Sequence, residues 1–130
     1  MLTLTSVSAA PTCAILACHP ADAEPLAALA AEANAIKKFF TDALQVHTFE
    51  GLSDALEYHK TIRLLAYLGH GDAQWKDPTT GTYVNTLGLA DEDGALALLS
   101  PAVIAAHLGS FTPLNEGALD GVVLSACCTK

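Results

Sequence analysis

The chain has 130 residues, 52% of them apolar, which is enough for one domain with a substantial buried core and excludes a fold that depends on a disulfide framework. Fourteen acidic residues against six Lys and Arg give a formal net charge of −8, which argues against nucleic acid or an anionic membrane as a partner and favours basic peptides. The four cysteines, at positions 13, 18, 127 and 128, have no framework spacing, and the adjacent pair is hard to bridge, so they read as free thiols in a reducing compartment. The N-terminal stretch MLTLTSVSAAPT has no basic segment followed by a long apolar one, and no apolar run has the length of a membrane span; the expected location is cytoplasmic.

In chain order, CAILAC (13–18) is an apolar run without polar interruption, as expected of a strand covered on both faces. From Asp22 to Ala43, Leu26, Leu29, Ala33, Ile36 and Phe40 recur at spacings of three and four, which predicts a helix. QVHTF (45–49) reads as a second, shorter strand, and Ser53 as the start of a short helix, SDALEYHK. Ile62 to Leu68 makes the third strand. Between Gly71 and Leu99 turn signals dominate, and Asp93-Gly94 between two apolar runs predicts a small β-hairpin excursion. Ser100-Pro101 is an N-cap followed by proline at the first helical position, and Gly109 closes that helix. GVVLSA (121–126) is a fourth buried strand that ends at Cys127 and Cys128.

Strands separated by helices predict an α/β fold, a mostly parallel sheet with helices on both faces. Short connections favour the strand order 2-1-3-4. In such sheets ligands and catalytic groups gather beyond the carboxyl ends of the strands, where LGHGD puts His70 and the last strand puts Cys127. If those strands are neighbours, imidazole and thiol face each other. A histidine next to a thiol takes its proton, and a thiolate is the attacking species in acyl transfer. The glycine after His70 lets backbone approach a substrate, and the N–H groups of Gly71 and Cys127 would serve as an oxyanion hole.

Four blocks, AILACHPADAEPLAALAAEANAIKKFF, LLAYLGHGD, LGLADEDGALALLSPAVIAAHL and GVVLSACCT, resemble the N-terminal portion of a CHAT domain, the caspase-like (clan CD) cysteine peptidase module. Together they cover most of the chain. The resemblance implies a caspase-like three-layer sandwich, endopeptidase activity without a cofactor, His70 as the general base or acid, and Cys127 as the nucleophile. It also implies a protein or peptide substrate and an association with tetratricopeptide repeats or another regulatory region. Asp72 and Ser125 are the candidate substrate-binding residues; Ser125 stands where some clan members carry an acid that selects arginine or lysine. Three features depart from the pattern. His19-Pro20 replaces an asparagine-proline pair, and Cys128 follows the nucleophile in place of a glutamate or tyrosine. The sequence also stops at Lys130, so that residues 1–130 read as a CHAT domain truncated after the cysteine strand.

Each of these residues also has a plain structural reading. His70 can cap its strand by bonding a loop carbonyl, one of Cys127 and Cys128 can be a small buried hydrophobe, and Asp72 can be solvated. Two other functions stay open beside the protease. One is a catalytically silent CHAT-like scaffold that binds a partner. The other is a metal site, because Cys18, His19, His70, Cys127 and Cys128 all end strands on one edge of the sheet, although their spacing is no zinc signature.

Overall fold

The computed structural model describes residues 11–21, 28–71 and 73–127, with Ala126 and Cys127 described as backbone only. Asp72, Cys128 and residues 22–27 of the expected first helix lie outside the described residues.

Four parallel strands, β1 (Cys13–Ala17), β2 (Leu44–Val46), β3 (Leu64–His70) and β8 (Gly121–Cys127), form one sheet in the order β2-β1-β3-β8. This is the order expected from the sequence. All five residues of β1 are buried, because the strand is flanked by β2 and β3 and covered on both faces. Its side chains sort with period two. Cys13, Ile15 and Ala17 join Leu68 under helix α1 (Leu29–Phe39), with Leu29, Ala33 and Ile36 turned onto them. Ala14, Leu16 and Cys18 join Leu65 and Tyr67 on the opposite face. There they meet Leu52, Ala55 and Leu56 of α2 (Phe49–Tyr58) and Ile104 of α3 (Pro101–Gly109). The chain is therefore a mixed α/β fold with helices on both faces of a parallel sheet. Among the described residues no helix is long and apolar enough to cross a membrane.

Local expectations are corrected at several points, among them the last strand, read as buried, whose Val122, Val123 and Leu124 are exposed. Strand two ends at Val46, and the following helix begins at Phe49, because Thr48 and not Ser53 is the N-cap. Thr48 has extended backbone angles, and its hydroxyl accepts the N–H of Gly51 at 2.9 Å. Ser53 lies one turn inside the helix, where its hydroxyl donates to the Phe49 carbonyl and sits 2.6 Å from Nε2 of His107. That contact ties α2 to α3, with the His107 ring between Phe49 and Phe111.

Another correction concerns the segment after β3, which holds two hairpins rather than one. β4 (Ala73–Lys76) pairs antiparallel with β5 (Tyr83–Thr86), and β6 (Leu89–Ala90) with β7 (Leu96–Ala97). The second is the hairpin read from Asp93-Gly94. Gly94 adopts φ +81°, and the Asp91 carboxylate accepts the N–H groups of Asp93 and Ala95. The Gly94 carbonyl then accepts the N–H of Ala21, which holds this hairpin against the loop that leaves β1. Helix α3 has the expected cap: the Ser100 hydroxyl accepts the N–H of Val103, with Pro101 in the first turn. Gly109 is its last residue rather than the one beyond it.

Replacing Thr48 by alanine removes the side-chain cap of the α2 N-terminus and should lower stability by about 1 kcal/mol in urea unfolding. Thr48→Ser should retain most of it. A loss at Thr48→Ala no larger than a few tenths of that would move the cap elsewhere.

Candidate active site

β3 pairs with β8 along seven consecutive residues, from Leu64 opposite Gly121 to His70 opposite Cys127. The ladder is seated at its amino end, where the Arg63 carbonyl accepts the N–H groups of both Asp120 and Gly121. The Arg63–Asp120 ion pair at the same place is well exposed and contributes little. Burial of Leu65 and Tyr67 on one face and Leu68 on the other fixes the register, since a slip of one residue would turn every side chain of the strand to the wrong face. The Cα atoms of His70 and Cys127 are thus in register on adjacent strands, whose axes lie about 4.8 Å apart. Both stand at the carboxyl edge of the sheet.

The backbone of His70 is clamped. Its carbonyl accepts the N–H of Gly88 at 2.8 Å and the Tyr67 hydroxyl at 2.9 Å, and that hydroxyl also lies 2.8 Å from the Gly88 carbonyl. A phenol has one proton, so the two carbonyls share it. To reach them the Tyr67 ring folds over Gly69, where an added Cβ would lie 2.5 Å from Oη and 2.8 Å from Cζ. The glycine before His70 is thereby explained: any side chain at 69 would displace the tyrosine. A Cβ at Gly88 would in turn approach Cβ of His70 to 3.0 Å. Tyr67, unnoticed in the sequence, is thus the residue that positions His70. The clue was available, because a buried tyrosine in an otherwise aliphatic strand needs a partner for its hydroxyl.

Gly71 follows His70 and is half-buried. Ser125 precedes Cys127 by two residues, and its hydroxyl donates to a Glu32 carboxylate oxygen of α1 at 2.8 Å. Glu32 was not among the residues singled out from the sequence. It lies 93 positions away from Ser125, and only the packing of α1 on the sheet brings them together.

Cys18 extends β1 at the same edge, its N–H bonded to the Leu68 carbonyl. It is fully buried, and burial pushes its thiol up to about 11, against a weaker opposing effect of a backbone hydrogen bond from Ala90. Burial, followed by the Asp42 charge, also raises Cys13. Neither is a nucleophile at neutral pH. His19 beside Cys18 is exposed. Among the described residues no three His, Cys, Asp or Glu side chains come together as a metal site.

A buried thiol with a raised pKa favours folding below the ordinary thiol value near 9, and that contribution is lost as pH rises towards 11. The difference corresponds to about 2–3 kcal/mol. Urea unfolding should therefore show stability falling between pH 8.5 and pH 11, and Cys18→Ala should reduce that fall while lowering stability at pH 7. An unchanged alkaline slope in Cys18→Ala would assign the loss to other groups.

No protein-family model, no curated protein and no solved structure matches the chain, so the site is read from its own geometry and chemistry.

Proposed function

We propose that the chain is a CHAT-like, caspase-like cysteine endopeptidase acting through His70 and Cys127. One observation carries the reading. The histidine and the cysteine singled out from the sequence are Cα partners at the carboxyl ends of neighbouring parallel strands, although 57 residues separate them in the chain. In this mechanism His70 takes the proton from the Cys127 thiol, and the thiolate attacks the carbonyl carbon of a peptide bond. The N–H groups of Gly71 and Cys127 donate to the oxyanion that forms. The imidazolium then returns the proton to the departing amine, leaving a thioester that water hydrolyses with His70 again as base. The clamp on the His70 carbonyl supports the reading because a general base must be held within a fraction of an ångström of its target. A cytoplasmic location and a regulatory tetratricopeptide-repeat partner belong to the same proposal.

The second reading is a silent relative that binds a partner along β8. The exposure of Val122, Val123 and Leu124 on that strand favours it.

Fluorogenic peptides that differ in the residue before the cleaved bond, basic ones first, separate the two. Cleavage should fall at least about a hundredfold in Cys127→Ala and in His70→Ala. Limiting iodoacetamide should label Cys127 before Cys13, Cys18 or Cys128. Cleavage unaffected by Cys127→Ala, or no cleavage of any peptide, gives the chain to the scaffold reading.

A further inference from the structure

In a parallel sheet the crossover helices run back against the strands, so α1 and α2 end at the amino edge, opposite the edge that carries His70 and Cys127. There α1 ends in Lys37-Lys38-Phe39 with Phe40 as its cap, and α2 ends in Tyr58, followed by His59 and Lys60. Residues 40–43 lead directly into the start of β2. The loop after α2 is pinned beside the start of β1, where the Thr61 hydroxyl donates to the Pro11 carbonyl and the N–H of Arg63 to the Thr12 carbonyl. Phe39 is 86% exposed and Tyr58 82%. A single exposed aromatic is unremarkable in itself, but these two share one edge and each has lysine close by in the chain. Because α1 and α2 cover opposite faces of the sheet, the two rings stand as separate tips on either side of β1.

The cations of the chain gather at the same place. Lys37, Lys38, Lys60 and Arg63 all lie at this edge, out of six Lys and Arg in the whole sequence. Arg63 is taken by Asp120, but among the described residues none of the three lysines has a carboxylate within ion-pair distance. The acids nearby are Asp42, which accepts the Thr12 hydroxyl, Glu57, Glu116 and Asp120. They offset the four cations, so the net charge of −8 belongs to the rest of the chain. Asp77, Asp91, Glu92 and Asp93 lie beyond the opposite edge, about 23 Å away along a seven-residue strand such as β3. That distance is well over the roughly 8 Å across which charges act at physiological salt, so the overall charge does not decide what the amino edge meets.

We propose that the amino edge docks the protein on an anionic phospholipid bilayer, with Phe39 and Tyr58 entering the headgroup region and Lys37, Lys38 and Lys60 meeting the lipid phosphates. Aromatic rings settle at the level of the headgroups, and lysine stems lie along apolar surface while their ammonium groups stay among the phosphates. The spacing of the tips favours a bilayer over a protein. A protein would need two pockets set to the positions of Phe39 and Tyr58, whereas a fluid surface takes each tip singly. Docked in this way, the edge bearing His70 and Cys127 faces away from the lipid, whether or not it is proteolytic.

The test is sedimentation of the full chain with vesicles. Phosphatidylcholine and phosphatidylserine mixed three to one should bind it at least about tenfold more tightly than phosphatidylcholine alone. Lys37→Glu, Lys38→Glu and Lys60→Glu together should weaken binding to the mixed vesicles at least about tenfold, and so should Phe39→Ser with Tyr58→Ser. None of these five residues is buried, so the core is left intact. The chain has one tryptophan, Trp75, in the hairpin that leaves from the carboxyl edge. Its emission should stay in place when vesicles are added, whereas Phe39→Trp should add a component that shifts to the blue. No sedimentation with the mixed vesicles, binding that survives the three lysine substitutions, or a blue shift of Trp75 in the unmodified chain overturns the proposal. Binding of soluble polyglutamate through the same lysines, without binding to vesicles, also overturns it and gives the edge to an acidic protein.

Discussion

The proton of the Tyr67 hydroxyl, shared between the carbonyls of His70 and Gly88, is the contact on which the carboxyl edge of the sheet depends. It acts in three directions at once. It requires glycine at 69, since the ring occupies the space a Cβ would fill. It fixes the peptide unit of His70 at the point where β3 ends. It also brings the returning chain at Gly88 back to where it left, so that the first hairpin departs and rejoins the sheet within one hydrogen-bonded patch. A buried phenol left without an acceptor costs about 1–3 kcal/mol, so once this side chain is in the core the two carbonyls must come to it.

The parallel ladder does the rest of the positioning. β1 and β3 supply nearly half of the buried residues among those described, and the one thiol within them, Cys13, is fully enclosed. Further reactive residue types occur where the strands end: Cys18 and His19 after β1, His70 at the end of β3, Cys127 at the end of β8. Burial then separates them by role. Complete enclosure makes Cys18 a core residue whose thiol resists ionisation, while half-buried His70 stands at the boundary between core and solvent.

Much of this frame was legible in the sequence, and the reasons are particular. The first and third strands were readable because strands buried on both faces are uninterrupted apolar runs, although the third, expected over 62–68, runs from Leu64 to His70. Ser100-Pro101 and Asp93-Gly94 were readable because each demands a specific backbone geometry. The start of α2 was not, because Thr48 and Ser53 are both acceptable caps five residues apart and only tertiary contact with His107 shows what Ser53 does. The first hairpin was missed for a different reason. Its strands are only four residues long and carry no buried apolar run: β4 alternates half-buried and exposed residues, and β5 is exposed up to Thr86. For the site, the opposition of His70 and Cys127 followed from topology alone. The Tyr67 clamp and the Glu32 carboxylate arise from packing between distant segments and leave no local pattern.

The outer part of the first hairpin, residues 78–85, is exposed. Backbone bonds between Asp77, Gly81 and Thr82 close its tip, and Gly81 there, at φ +74°, has nothing within 4 Å of where a Cβ would be. Lengthening a loop costs only about 0.6 kcal/mol per doubling once its ends are pinned by other contacts. The turn at residues 78–81 is therefore a natural port for added sequence, such as an epitope, a dye-attachment site or a whole inserted domain. Cargo carried there would be tethered within reach of the sheet's carboxyl edge while the bonds at Gly88 shield His70 from its motion.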